Sequence, residues 1–256
     1  MKTPPLLLYV PGLAHRLAIR PDLAKHLSNL IERGVFAPVF PVFPALPGPM
    51  LATLRTGEWP ESHGVIVGSA NGASGPEFQV LDDFDRVARE RGPADPGLGD
   101  AFRALDARIG NLAGSSDDVV VVSDGAVSPA PVSIDIGGAL RERFGADVTA
   151  EAEEQVCVLR TARLREVADF VRTLAKGIRV LCGARDFTLY RVRHANAGDA
   201  IALAPPHKRF GSPGPRGTRG QLPLDPGDYG VFISTRHGSL SKRFMLAVEA
   251  AAEARR

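Results

Sequence analysis

Cysteine is nearly absent from this chain of 256 residues, which has Cys157 and Cys182 and no CxxC pair. Both lie in apolar runs, so buried free thiols are expected rather than a disulfide framework, and a reducing compartment fits. An excess of one charge is missing as well. Lysine and arginine total 31 against 29 acidic residues, which leaves no general electrostatic case for nucleic acid or for a membrane surface. Long apolar runs are also lacking. Leu6 to Val10 is too short for a signal h-region or a membrane span, and it meets Pro11 at once. These absences lead us to expect a soluble, cytoplasmic protein.

What is present suits one large α/β domain over 1–256, because 44% of the residues are apolar and can supply a sizeable core. Leu6 to Val10 and Val119 to Val122 are short continuous apolar runs, as in strands buried on both faces of a parallel sheet. Further strands are expected at 35–42, 178–182, 188–192, 200–204 and 229–234. Apolar residues at helical spacing predict helices over 21–33, 50–56, 96–112 and 164–174, with a last helix from about Lys242. Strands alternating with helices imply a layered fold with a largely parallel sheet. Ligands gather beyond the carboxyl ends of such strands, where Pro11, Asp124 and His237 fall. Residues 207–220, rich in glycine, proline and basic residues, are expected to form a mobile, solvated loop.

One segment is more specific. Phe43-Pro44-Ala45-Leu46-Pro47-Gly48-Pro49-Met50-Leu51-Ala52-Thr53-Leu54-Arg55-Thr56-Gly57 continues through Pro60 to His63-Gly64. It resembles the nucleophile region of the type I phosphodiesterase/nucleotide pyrophosphatase family of the alkaline phosphatase superfamily. Other blocks follow in that family's order: Val10-Pro11-Gly12, Gly92-Pro93 through Leu105-Asp106 to Gly110, Val120 to Asp124, Gly198-Asp199, and His237-Gly238. The resemblance implies a three-layer α/β sandwich with an alkaline-phosphatase-like core. The span 64–85 is far shorter than its family counterpart, so the usual cap insertion is expected to be lacking.

The family works with two zinc-like ions and a threonine or serine nucleophile, which together clamp and attack a phosphoryl group. Carried onto this chain, the first-strand aspartate falls on Pro11, the nucleophile on Pro47, the phosphate-holding asparagine on Met50 and a histidine on Leu51. A further metal-binding pair falls on Asp85 and Arg89, and another on Asp124 and Gly125. The closing histidine is His237. One ion site thus keeps Asp85 and His237, and the other keeps only Asp124. A lone carboxylate does not hold a zinc-like ion against water at useful affinity. Without a nucleophile, covalent phosphoryl transfer has no acceptor.

The losses fall on the chemical positions while neighbouring packing positions persist. The resemblance therefore implies a non-hydrolytic relative with no metal cofactor, binding a partner protein or a phosphorylated small molecule. The alternative is a metal-dependent phosphodiesterase with one divalent, zinc-like ion on Asp85, Asp124 and His237 and water as nucleophile. Arg89 could replace part of a cation's charge, and Arg16, near the end of the first strand after Pro11-Gly12, could hold an anion. His63 reads as structural. A third possibility, an anion- or nucleic-acid-binding module using Arg16, Arg89 and the loop around Arg209, is weakened by the lack of aromatics beyond Phe210 in that loop.

Overall fold

A computed structural model describes residues 4–236 and 244–255 of the chain. The amino-terminal half runs β1 (Leu6–Tyr9), α1 (His15–Ala18), α2 (Lys25–Arg33), β2 (Val35–Phe40), α3 (Pro47–Thr56), α4 (Pro60–His63), β3 (Gln79–Val80), α5 (Asp83–Arg91), α6 (Leu98–Ala113) and β4 (Val119–Val122). Then follow β5 (Ser128–Pro129), β6 (Val132–Ile134), α7 (Ile136–Phe144), β7 (Val148–Glu153), β8 (Val156–Thr161), α8 (Leu164–Leu174), β9 (Arg179–Cys182), α9 (Ala184–Leu189) and β10 (Ala200–Leu203). The chain closes through β11 (Lys208–Phe210), β12 (Gly217–Thr218), β13 (Gly230–Ser234), β14 (Met245–Leu246) and α10 (Ala247–Arg255).

The main sheet has six strands in the order β14-β2-β13-β4-β1-β3. Five of them run the same way and β13 runs against its two neighbours, so the sheet is largely parallel. Alternation along each strand sorts its side chains into two layers. Leu7, Tyr9, Val120, Val122 and Phe232 pack against Met50 and Leu54 of α3 and the alanines of α10. Leu8, Val10, Val119, Val121 and Ile233 pack against α2, α5 and α6 on the other side. The sheet is thus the middle of a three-layer sandwich. Each fully buried Val, Leu or Phe here contributes roughly 1.5–3 kcal/mol.

Between β4 and β13 the chain builds a second sheet, of four antiparallel strands in the order β7-β8-β10-β9. Its one face carries Cys157, Leu159, Val180, Ala200 and Ala202 against α7 and α8. Its other face, with Val156, Val158, Leu181, Ile201 and Leu203, packs on Phe43, Leu46 and Ile66. The tip of the β7–β8 hairpin is thereby held at the segment leading into α3. Cys157 is buried, and burial pushes its thiol up to about 12; Cys182 is only partly buried, and both are free.

The family-like block around Leu105-Asp106 to Gly110 is packing machinery. α2 has no side-chain cap of its own. Instead the buried Asp106 carboxylate on α6 accepts the backbone N–H groups of His26 and Leu27, both at 2.9 Å. That satisfies two donors that the first turn of a helix leaves open. Gly110 lets the His26 ring lie against α6 where any side chain would collide.

Two expectations fail. Residues 188–192 are not a strand: Gly183, at φ +83°, turns the chain into α9, and Asp186 accepts the Cys182 N–H at 2.9 Å to fix that start. Val192 reaches the core from the turn after α9, its N–H donating to Phe187 O at 2.9 Å, so burial rather than extension explains the apolar residues there. Residues 207–220 are not a solvated loop. β11 pairs parallel with β6, β12 pairs antiparallel with β5, and Thr218 and Arg219 are buried. The expected start of the last helix at Lys242 lies outside the described residues, and the helix observed begins at Ala247.

Loop 64–78 lies along α3. A Cβ on Gly48 would collide with the Gly68 carbonyl oxygen, and Gly75 is equally tight against the Arg55 carbonyl. Gly48→Ala is therefore expected to destabilise the protein by about 1–3 kcal/mol. Gly99→Ala, in open space near the start of α6, should stabilise it by up to about 1 kcal/mol. Urea unfolding midpoints of the two variants read these opposite signs.

Candidate functional site

The site is built from the ends of β1 and β4. Tyr9 is the last residue of β1, and Pro11-Gly12 turn the chain away from it. Asp124 follows β4 by two residues. The Asp124 carboxylate accepts the Gly12 N–H at 2.9 Å on Oδ1, and on Oδ2 it accepts both the Tyr9 hydroxyl and Arg219 Nη1 at 2.6 Å. Asp85, in the first turn of α5, reaches the same point from the other side. Its Oδ2 accepts Arg219 Nη2 at 3.1 Å and Arg89 Nε at 2.9 Å.

Arg219 thus lies between Asp85 and Asp124. Its side chain is 2% exposed and those of both aspartates are 1% exposed. Glu154, buried at the tip of the β7–β8 hairpin, completes the cluster. It accepts the Arg219 backbone N–H on Oε2 and meets Arg89 Nη1 at 3.4 Å on Oε1. Glu154 also has φ +54°, an uncommon backbone for a residue with a side chain, held here by both of those contacts.

Three carboxylates therefore face two guanidinium groups, and a phenol and a backbone amide supply further donors. Burial works against the charge of Arg219, but Asp124 and then Asp85 more than offset it, and the net direction of its pKa is upward. Burial, followed by the Asp124 charge, drives the Tyr9 phenol well above its ordinary value, so Tyr9 is a neutral donor. Asp85 Oδ1 has no hydrogen-bond partner among the described residues. It is closed off by Gly12, where even a Cβ would come within 2.8 Å of it.

The residues singled out in the sequence fall as follows. Asp85, Asp124 and Arg89 come together in one cluster. Arg16 does not join them; its guanidinium sits on Asp228 at the surface. His237 lies outside the described residues. Pro47 is the first residue of α3 and lines an open cavity of about 420 Å³ with Tyr9, Leu51, Arg55, Gly68 and Glu153. A second cavity, of about 280 Å³, lies beside the cluster and is lined by Asp124, Ser128, Gln155, His207, Arg219 and Asp225 among others. Gly125 has φ +106°, and a side chain there would collide with the Asp228 carbonyl. Met50 is fully buried in the core, and Leu51 packs against it.

His63 is structural. The Val65 N–H donates to His63 Nδ1 at 3.1 Å, so the neutral ring carries its proton on Nε2 and donates to Thr53 Oγ1 at 3.0 Å. Burial, then the nearby His194, lowers its pKa to about 4.

Sequence reasoning missed Arg219 and Glu154. Arg219 stood in a basic, glycine-rich run with every mark of a solvated loop. The signal available was the pair Asp85 and Asp124, acidic positions that the resemblance leaves short of ligand partners and that need a positive charge nearby if buried.

The chain has the alkaline-phosphatase-like α/β fold. Within it, residues 6–70 match the type I phosphodiesterase/nucleotide pyrophosphatase family model, a stretch that includes β1, α3 and Pro47. Human ectonucleotide pyrophosphatase/phosphodiesterase 5 superposes with a TM-score of 0.75 at 13% identity, covering 97% of this chain and 93% of that one. Phosphonoacetate hydrolase from Sinorhizobium meliloti 1021, in complex with phosphonoformate, gives 0.70 at 13% identity, covering 98% and 95%. An inactive variant of the murine phosphodiesterase 5, in complex with AMP, gives 0.73 at 14% identity, covering 97% and 93%. No curated protein matches the chain in sequence. The resemblance read from the motifs is borne out by these matches.

The residues present do not fit a bimetallic centre. Asp85 and Asp124 are engaged by Arg219, and Pro11, Pro47 and Gly125 offer no side-chain donor. No three His, Cys, Asp or Glu side chains among the described residues converge as a metal cluster. No described helix is long and apolar enough to cross a membrane.

Two outcomes follow from this geometry. Arg219→Met strands two buried carboxylates and should cost about 3–5 kcal/mol in urea unfolding. His63, with its pKa depressed in the folded state, binds fewer protons folded than unfolded between about 4 and 6.5. Stability should therefore fall as pH drops through that window, and His63→Gln, which keeps a donor to Thr53, should flatten the fall. Unfolding midpoints at about pH 7 and pH 4.5 check this.

Proposed function

We propose that this chain is a non-hydrolytic relative of the type I phosphodiesterases, which binds a phosphorylated small molecule or a partner protein without turning it over. The single observation that carries this reading is Arg219 between Asp85 and Asp124. In the family resemblance these two carboxylates belong to two separate ions. Here one tethered guanidinium neutralises both, and it can neither generate a hydroxide nor open a coordination position to a phosphoryl oxygen. The nucleophile position is Pro47, a residue suited to starting a helix and unable to attack.

The rival reading is a phosphoric ester hydrolase with one divalent ion on Asp85 and His237, with Asp124 helping and water as nucleophile. One observation favours it, the Asp85 Oδ1 that accepts no hydrogen bond from the described residues. Against it stands the closure of that oxygen by Gly12.

Purified protein, prepared without chelators, should contain no stoichiometric transition metal. It should hydrolyse neither phosphomonoesters, phosphodiesters nor nucleotide pyrophosphates, with or without added zinc, manganese or magnesium. AMP, the nucleotide in the murine complex, is the first binding probe, read by calorimetry. Metal-dependent turnover that is lost in Asp124→Ala would overturn the reading.

A further inference from the structure

We infer that the Asp85–Asp124 pair is a receptor for a guanidinium group, and that Arg219 is its covalently tethered ligand. The inference rests on the reading above, in which the pair no longer holds a metal. It goes further by naming the chemistry that the site selects.

A divalent ion and a guanidinium make different demands. The ion needs several oxygen or nitrogen donors arranged around a point. A guanidinium is planar and carries five N–H donors, so each of its terminal nitrogens can donate to a different carboxylate. The site answers the second demand at the two terminal nitrogens, while the buried Nε has no hydrogen-bond partner among the described residues. Nη1 meets Asp124 at 2.6 Å and Nη2 meets Asp85 at 3.1 Å, so each terminal nitrogen has its own carboxylate. Both carboxylates are oriented independently of Arg219, one by Tyr9 and Gly12 and the other by Arg89. Their geometry therefore does not depend on the side chain they bind. The backbone of Arg219 is held separately, by Glu154 and by the Gln155 N–H, which donates to its carbonyl at 3.1 Å. Removing the side chain leaves the backbone contacts, and hence the walls, in place.

Arg219→Ala should thus create a small cavity lined by two carboxylates and a phenol, which takes up a free guanidinium ion. The experiment is thermal unfolding of full-length Arg219→Ala in low-millimolar guanidinium chloride. Sodium chloride and urea at the same concentration serve as controls, and parallel titrations use magnesium and manganese. At ten times its dissociation constant, guanidinium should raise the melting temperature by about 3–6 °C. Wild-type protein should not respond. The variant Asp85→Asn/Asp124→Asn/Arg219→Ala, which removes the charges together, should not respond either. If Arg219→Ala is unfolded when isolated, the same titration reads refolding by circular dichroism, and guanidinium should restore it.

No response to guanidinium, an equal response in the triple variant, or stabilisation by the divalent ions alone would each overturn the inference. Metal-dependent hydrolysis by the wild-type protein would instead strike the non-hydrolytic reading, while a guanidinium response of Arg219→Ala would still stand, so the two failures are distinguishable.

Discussion

A guanidinium can be buried only where its charge is met at close range, and much of this structure is arranged around that requirement at Arg219. The side chain joins Asp85 on α5 to Asp124 after β4, and its backbone joins Glu154 on the β7–β8 hairpin. Those three carboxylates come from the main sheet, from the helix layer beside it and from the second sheet. Apolar packing between Phe43, Leu46 and Ile66 and the strands of the second sheet brings the two sheets together without direction. The ion cluster supplies the direction. It fixes where the hairpin tip must sit, because any displacement would leave a buried charge unpaired.

The fates of the chemical positions follow from the same economy of donors. Asp85 and Asp124 share the Arg219 guanidinium. The other positions have structural roles: Pro47 starts a helix, Met50 fills the core, and Gly125 makes room for the Asp228 carbonyl. A histidine at Gly125 would now need both a forbidden backbone conformation and space occupied by main chain.

Legibility in the sequence divided along physical lines. Strands β1, β2, β4 and β13 of the main sheet and helices α2, α3, α6 and α8 were readable because their apolar runs and periodicity report burial directly, whereas the two-residue strands β3 and β14 were not. The motif block also located Asp85, Asp124 and Arg89, since it preserves order along the chain. What was not readable depended on contacts distant in sequence. Asp85 is buried because α5 turns it toward Arg219, 134 residues away in sequence. Residues 208–210 and 217–218 became strands through partners at 132–134 and 128–129, which local composition does not announce.

The difference between an ion and an arginine also bears on how the fold can change. A metal centre is assembled from outside the chain, so its occupancy varies with free-ion concentration and with the protonation of its ligands. A tethered guanidinium has neither dependence: it is charged at every accessible pH, and its concentration at the site is fixed by the backbone that carries it. The cluster thereby trades exchangeability for constancy. Such a trade suits a site that keeps one shape. The coordination positions that substrate oxygens would need are occupied by N–H groups already committed to Asp85 and Asp124, so what the cluster provides is rigidity.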